Sequence, residues 1–245
     1  MKIKKIESHS NPIYKKLLSL TKNKGVEEHG LCLVSGDKVT SELATHRPQE
    51  AFWIYHQAKH AVLATHPLAQ LILLSKKHFD ALDVVGTDSP ILCLPVIPTE
   101  PWNSDSPLRA NELLCALGDP KNLGSLLRSA LAFGIKNVVL LEECCNPFHP
   151  KAVKASSGAC FHLQYYKGPA IYDLHKVKEV LALDGKGHPL AELDRSRPYR
   201  LLLGEEGQGI PDNIDARRVA IAMEPGVESL NATVAASIVL YELNK

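Results

Sequence analysis

No apolar run in the chain comes near the roughly 18–20 residues that cross a bilayer as a helix. The opening residues, MKIKKIESHS, are basic but lack the apolar core of a secretory signal. Both absences predict a cytoplasmic protein. Among six cysteines no pair has C-x-x-C spacing, and the eleven histidines offer no H-x-x-x-H spacing followed by acids. The usual zinc frameworks and a disulfide scaffold are therefore not indicated; the thiols read as reduced and buried or incidental, and no metal is expected. Internal repeats and low-complexity tracts are missing too.

Net charge is also scarce, at a formal +1 over 245 residues. Its distribution is uneven. Within residues 1–24, seven lysines (Lys2, Lys4, Lys5, Lys15, Lys16, Lys22 and Lys24) face Glu7 alone, leaving +6 there and about −5 over the other 221 residues. Such a basic arm can mark a phosphate-binding surface. A solvated, fraying terminus has the same composition.

What is present alternates between strand and helix patterns, the mark of α/β architecture. Residues 1–98 form a first unit, with a helix expected over Pro12–Lys22 and strands at LCLVSG, AFWIYH, LILLS and ILCLPVIP, and helix-like DKVTSELATH between the first two. Residues 99–110, rich in Pro, Ser and acids, read as a linker. Residues 111–245 form the second unit, with strands at ELLC, KNVVLLE, RLLLG and VAIAM. In NLGSLLRSALAFG, Leu123, Leu126, Leu127, Ala130 and Phe133 share one helical arc, while Asn122, Ser125, Arg128 and Ser129 share the other. Ligands of such folds gather at the carboxyl ends of parallel strands.

The GEEGQG stretch, Gly204–Gly209, follows a strand but has the wrong glycine order for a dinucleotide loop, and Glu205 and Glu206 would repel a pyrophosphate. It suits a neutral or cationic ligand. Further on, VESLNATVAAS places Ser229 and Asn231 before a helix apolar on nearly every side. One of them suffices as an N-cap, so the other is available to a site. That helix, running to about Leu243, needs burial all round, within the fold or against a second subunit.

In this order and at these separations, DPKNLGSLLRSALAFG, LLLGEEGQGIP and VAIAMEPGVESLNATVAASIVLYEL resemble the three motifs of SpoU-type RNA ribose 2′-O-methyltransferases of the SPOUT superfamily. The resemblance covers roughly residues 110–245, with VKASSGACFH matching a weaker Ser-Gly-Ala segment. Residues 1–98 resemble the ribosomal-protein-like α/β domain that often precedes it and binds RNA substrate, although Ser35 stands where that family often has Glu. The resemblance implies a trefoil-knotted α/β catalytic domain with a parallel sheet, S-adenosylmethionine as cofactor, and a homodimer. By motif position it implies cofactor contacts from Leu203, Gly204, Gly209, Ile221, Met223 and Leu230. It implies a catalytic cluster of Asn122, Arg128, Glu206, Ser229 and Asn231. Ala232-Thr233 replaces the commoner Val-Ser, and Glu205 replaces a small or amide residue; neither removes a catalytic group. Lys2, Lys4, Lys5, Lys15, Lys16 and Arg128 are the expected RNA contacts.

The expected chemistry is methyl transfer to a ribose 2′-OH, most directly in 23S ribosomal RNA, with transfer RNA as the second substrate class. Displacement at a sulfonium leaves a neutral thioether, so the task is to align a weakly acidic hydroxyl and relieve it of its proton. Arg128 is too basic to take that proton and suits a phosphate clamp and an alkoxide stabiliser. A base-nitrogen methyltransferase and a non-catalytic RNA-binding or ribosome-assembly factor are the rival expectations.

Overall fold

The computed structural model describes residues 2–46, 52–56, 70–204, 209–227 and 229–245. The chain divides into two units, Met1–Val96 with Asn146–Cys160, and Ile97–Cys145 with Phe161–Lys245.

In the first unit, strands β1 (Lys2–Ile6), β2 (Leu31–Ser35), β3 (Phe52–His56), β4 (Gln70–Leu74) and β5 (Ile91–Pro95) form one sheet in the order β1-β4-β3-β5-β2. β1 and β3 run parallel to β4, and β5 runs antiparallel to β3 and β2. The lysine-rich start is thus no fraying arm but an edge strand, paired from Lys2↔Gln70 to Ile6↔Leu74. Helices α1 (Pro12–Ser19), α2 (Asn23–His29), α3 (Asp37–His46) and α4 (Lys76–Leu82) complete the alternation. Asn11 caps α1, its Oδ1 accepting from the Ile13 amide at 2.9 Å, with Pro12 pre-set in the first turn. The helix expected to run to Lys22 stops at Ser19, and Gly25 of α2 lies so close to the Ser19 carbonyl that a Cβ would sit 2.1 Å from it. Ile6, Tyr14, Leu17, Ile54, Leu74 and Phe79 lie in the core. Helix α6 (Pro150–Ser156), from the later segment, packs on β2.

The second unit is a sheet of seven strands, every pair parallel, in the order β12-β10-β11-β7-β8-β9-β6. Its strands are β6 (Thr99–Pro101), β7 (Glu112–Cys115), β8 (Asn137–Leu140), β9 (Gln164–Lys167), β10 (Val180–Pro189), β11 (Arg200–Leu203) and β12 (Ala216–Ala220). Helix α5 (Pro120–Ala132) comes after β7, and α7 (Ala232–Leu243) ends the fold. The stretch read as a linker opens as β6, and buried Arg200 anchors the segment behind that strand. Its guanidinium pairs with Glu112 at 3.2 Å, donates to the Ser106 carbonyl at 3.1 Å and lies over the Trp102 ring. Where VAIAM was expected as a strand, β12 begins three residues earlier, so Ile221 and Met223 lie past its end. Leu114, Val139, Leu202, Ile171 and Leu174 fill the core under this sheet.

Candidate active site

At the carboxyl ends of β11 and β12, beside the middle of β10, the second unit holds a cavity of about 300 Å³. Its wall includes Leu203, Gly204, Gly209, Ile221, Met223 and Leu230, all six residues expected to hold a cofactor, and also Ser229. Sequence reasoning missed Leu183, Asp184, Gly185, Ile210, Ala232 and Ala235. The signal was there: VLALDGKG is an apolar strand run broken by a polar, glycine-rich turn.

The glycines have backbone reasons. A Cβ on Gly204 would lie 2.3 Å from the Gly209 carbonyl oxygen, and Gly209 has φ +74°, a left-handed conformation that suits glycine. Residues 205–208, with Glu205 and Glu206, lie outside the described residues.

Between Leu183 and His188, which both register with Val219 of β12, residues 184–187 leave the ladder of β10 as a bulge. Asp184 closes that excursion by accepting from the Lys186 amide at 2.9 Å. Arg218 of β12 donates one arm to Asp184 and the other to the Pro211 carbonyl at 2.9 Å. The Lys186 N–H, and then the Arg218 hydrogen bond, hold the Asp184 carboxyl below the usual carboxylate range.

One expected site residue, Asn231, is also a helix cap, whereas Asn122 is not. Asp119 caps α5, accepting from the Lys121 and Asn122 amides, both at 2.9 Å. Asn122 is therefore not that helix's cap. Asn231 does cap α7, accepting from the Thr233 and Val234 amides at 2.9 and 3.3 Å, while Ser229 and Leu230 line the cavity. The Thr233 hydroxyl donates to the Asn122 carbonyl at 3.1 Å, and the Ser237 hydroxyl meets Ser129 at 2.7 Å. The first bond seats the start of α7 on the start of α5, and the second ties the middle of α7 to the later turns of α5. Asn122, Thr233 and Asn231 are thereby drawn together, and Arg128 lies further along α5 on its exposed side. Lys2, Lys4, Lys5, Lys15 and Lys16 belong to β1 and α1 of the first unit; Lys4, Lys5, Lys15 and Lys16 are exposed.

The family model described as the SpoU rRNA methylase family matches residues 113–241, more than half of the chain. The chain belongs to this SpoU family. It is 34% identical over 247 residues to the ribosomal RNA small subunit methyltransferase G 2 of Syntrophobacter fumaroxidans, covering 97% of this chain but 48% of that protein. The chain thus spans about half the length of that relative. To the 23S rRNA (guanosine(2553)-2′-O)-methyltransferase of Bacillus subtilis it is 30% identical over 183 residues, covering 71% of this chain and 72% of that one. Its fold matches the AdoMet-bound rRNA methyltransferase of Sinorhizobium meliloti with a TM-score of 0.77 at 23% identity, covering 98% and 97% of the two chains. The matched region has the SPOUT fold. No described helix is long and apolar enough to cross a membrane.

Proposed function

We propose that this SpoU-family chain transfers a methyl group from S-adenosylmethionine to a ribose 2′-OH, most directly in 23S ribosomal RNA. The cavity carries the reading: six motif residues converge on one hollow whose described lining has no basic side chain. A triphosphate or pyrophosphate would find no cation there. A nucleoside joined to a sulfonium fits, since apolar Leu203, Ile221, Met223 and Leu230 can enclose the nucleoside and the Asp184 carboxylate tolerates a cation. When bound, the cofactor supplies an electrophilic methyl carbon and needs no metal. The 2′-O-methyltransferase relative favours ribose over base, and 23S over other RNA. The name of the longer relative weighs less, because half of that protein lies outside the match.

In this reading Arg128 clamps an RNA phosphate and stabilises the alkoxide that develops as the 2′ proton leaves. Asn122 and Glu206 orient Arg128 or the ribose, and Ser229 and Asn231 hold the loop before α7 against the substrate. The proton is shared out to the clamped phosphate rather than to Arg128. A homodimer belongs to the same proposal: Val234, Ile238 and Tyr241 form an exposed apolar stripe along α7 at helical spacing.

The test is a nuclease-digest mass spectrum of ribosomal and transfer RNA after incubation with isotope-labelled cofactor in chelator. A labelled 2′-O-methylnucleoside from 23S RNA is expected. Label on a base, or none on any RNA, would overturn the assignment; label on transfer RNA would move the substrate class.

A further inference from the structure

Asp184 is the one ionisable side chain on the cavity wall among the described residues; apart from Ser229, the other lining side chains are apolar or absent. Its partner Arg218 is not part of that wall. The pair therefore sets its acidic member on the wall and leaves its basic member off it. The placement is built rather than incidental. Gly187, at the neck of the bulge, lies so close to β12 that a Cβ would sit 2.5 Å from the Arg218 carbonyl carbon and the Val219 nitrogen. Lys186 N–H fixes one carboxylate oxygen, and Arg218 fixes the other while also bonding Pro211, next to cavity residue Ile210. Both side chains are about three-quarters shielded from solvent, at 27% and 23% exposure.

Resting on the cofactor reading above, we propose that the Asp184–Arg218 pair makes this cavity discriminate by charge, favouring the cationic methyl donor over its neutral thioether product. A cavity of 300 Å³ is only about 8 Å across, so a sulfonium anywhere inside lies within reach of the carboxylate's field. The pair acts through position and charge and takes no part in the bond changes. It binds the substrate form and lets the spent form go.

Calorimetry with S-adenosylmethionine and S-adenosylhomocysteine, each on the wild type and three variants, tests this directly. D184N leaves Arg218 only the fully exposed Asp212, 3.8 Å from its guanidinium, as counter-charge, and its ratio of donor to product affinity should fall about tenfold at low salt. R218Q leaves the carboxylate alone and should shift the ratio the other way. D184N/R218Q, neutral again, should fall between the two. A structural pair would weaken both ligands in proportion, so unchanged ratios in D184N and R218Q overturn the inference, as would shifts of the same sign. Should D184N fail to fold, the upward shift in R218Q still decides. A wild-type chain that binds neither compound removes the cofactor reading itself, and this inference with it.

Discussion

Arg128 sits on the polar arc of α5, away from buried Leu123, Leu126, Leu127 and Ala130, so Arg128→Ala should leave folding nearly intact. Single-turnover methyl transfer should drop by roughly 10²–10³ while cofactor affinity holds, because one preorganised charge at a developing oxyanion is worth about that much. Arg128→Lys should rescue poorly, an ammonium lacking the planar two-pronged contact. Loss of cofactor binding alongside activity would give Arg128 a structural role instead. A second residue sets an acid limit. His78 of α4 is buried, its ring 4.0 Å from that of His9 and 4.5 Å from that of Tyr14, with Nδ1 bonded to Ser75 and Nε2 without a hydrogen-bond partner among the described residues. Burial first, then the nearby His9 and Lys77 charges, lower its pKa. The unfolded chain therefore binds the His78 proton at higher pH than the folded one. Stability from this group is whole above the unfolded value of about 6.5 and declines as pH falls toward the lower folded value. Thermal melts from pH 7.5 to 5 should show that decline, and His78→Gln should flatten it.

At the level of elements, α7 divides into two faces. Val239, Leu240 and Ala236 are buried within the chain, whereas Val234, Ile238 and Tyr241 face outward. Ile238→Glu should give a folded monomer by sedimentation, and Val239→Glu should unfold the second unit; a folded dimer in Ile238→Glu would take α7 out of the interface. β1 raises a different choice. Lysines on an edge strand guard against edge-to-edge pairing, and they also suit binding to phosphates. Replacing Lys4 and Lys5 with Gln should make the salt dependence of RNA binding shallower by about 0.7–0.9 for each phosphate no longer neutralised; an unchanged slope would leave them as edge guards. The Lys5–Glu7 pair, exposed at both ends, adds little to stability either way. These elements also show what the sequence could disclose. Local signals located α3, α5, α7 and most core strands, because apolar spacing and caps are written within a few residues. β1 was not legible, since its pairing with β4 joins residues nearly seventy positions apart. β10 was passed over although its apolar run is visible, because its Asp184–Gly187 excursion reads as a turn that ends a strand. β12 was displaced because Arg217 and Arg218 look like loop residues until Arg218 is seen bonding across the bulge. For the candidate cavity, motif resemblance named Gly204, Gly209, Ile221, Met223 and Leu230 on its wall but not Asp184, which lies outside all three motifs.

On the scale of the whole chain, the first unit is discontinuous. Its five strands are complete by Pro95, yet Asn146–Cys160 belongs to it. The amine of Lys154 lies 3.0 Å from where a Cβ on Gly36 would stand, and Val39 crowds Gly158 to the same distance. A fragment of residues 1–98 should therefore melt below the corresponding transition of the full chain, and adding residues 146–160 as a peptide should recover part of the difference. Equal melting would mean that α6 contributes nothing to that unit. The same feature has a consequence for how the protein is made. Synthesis proceeds at about 5–20 residues per second, so the sheet is finished some 3–13 s before Cys160 is added. During that interval β2 has α2 and α3 against it but lacks α6, and the nascent chain presents the apolar surface that α6 later covers, which a chaperone can hold.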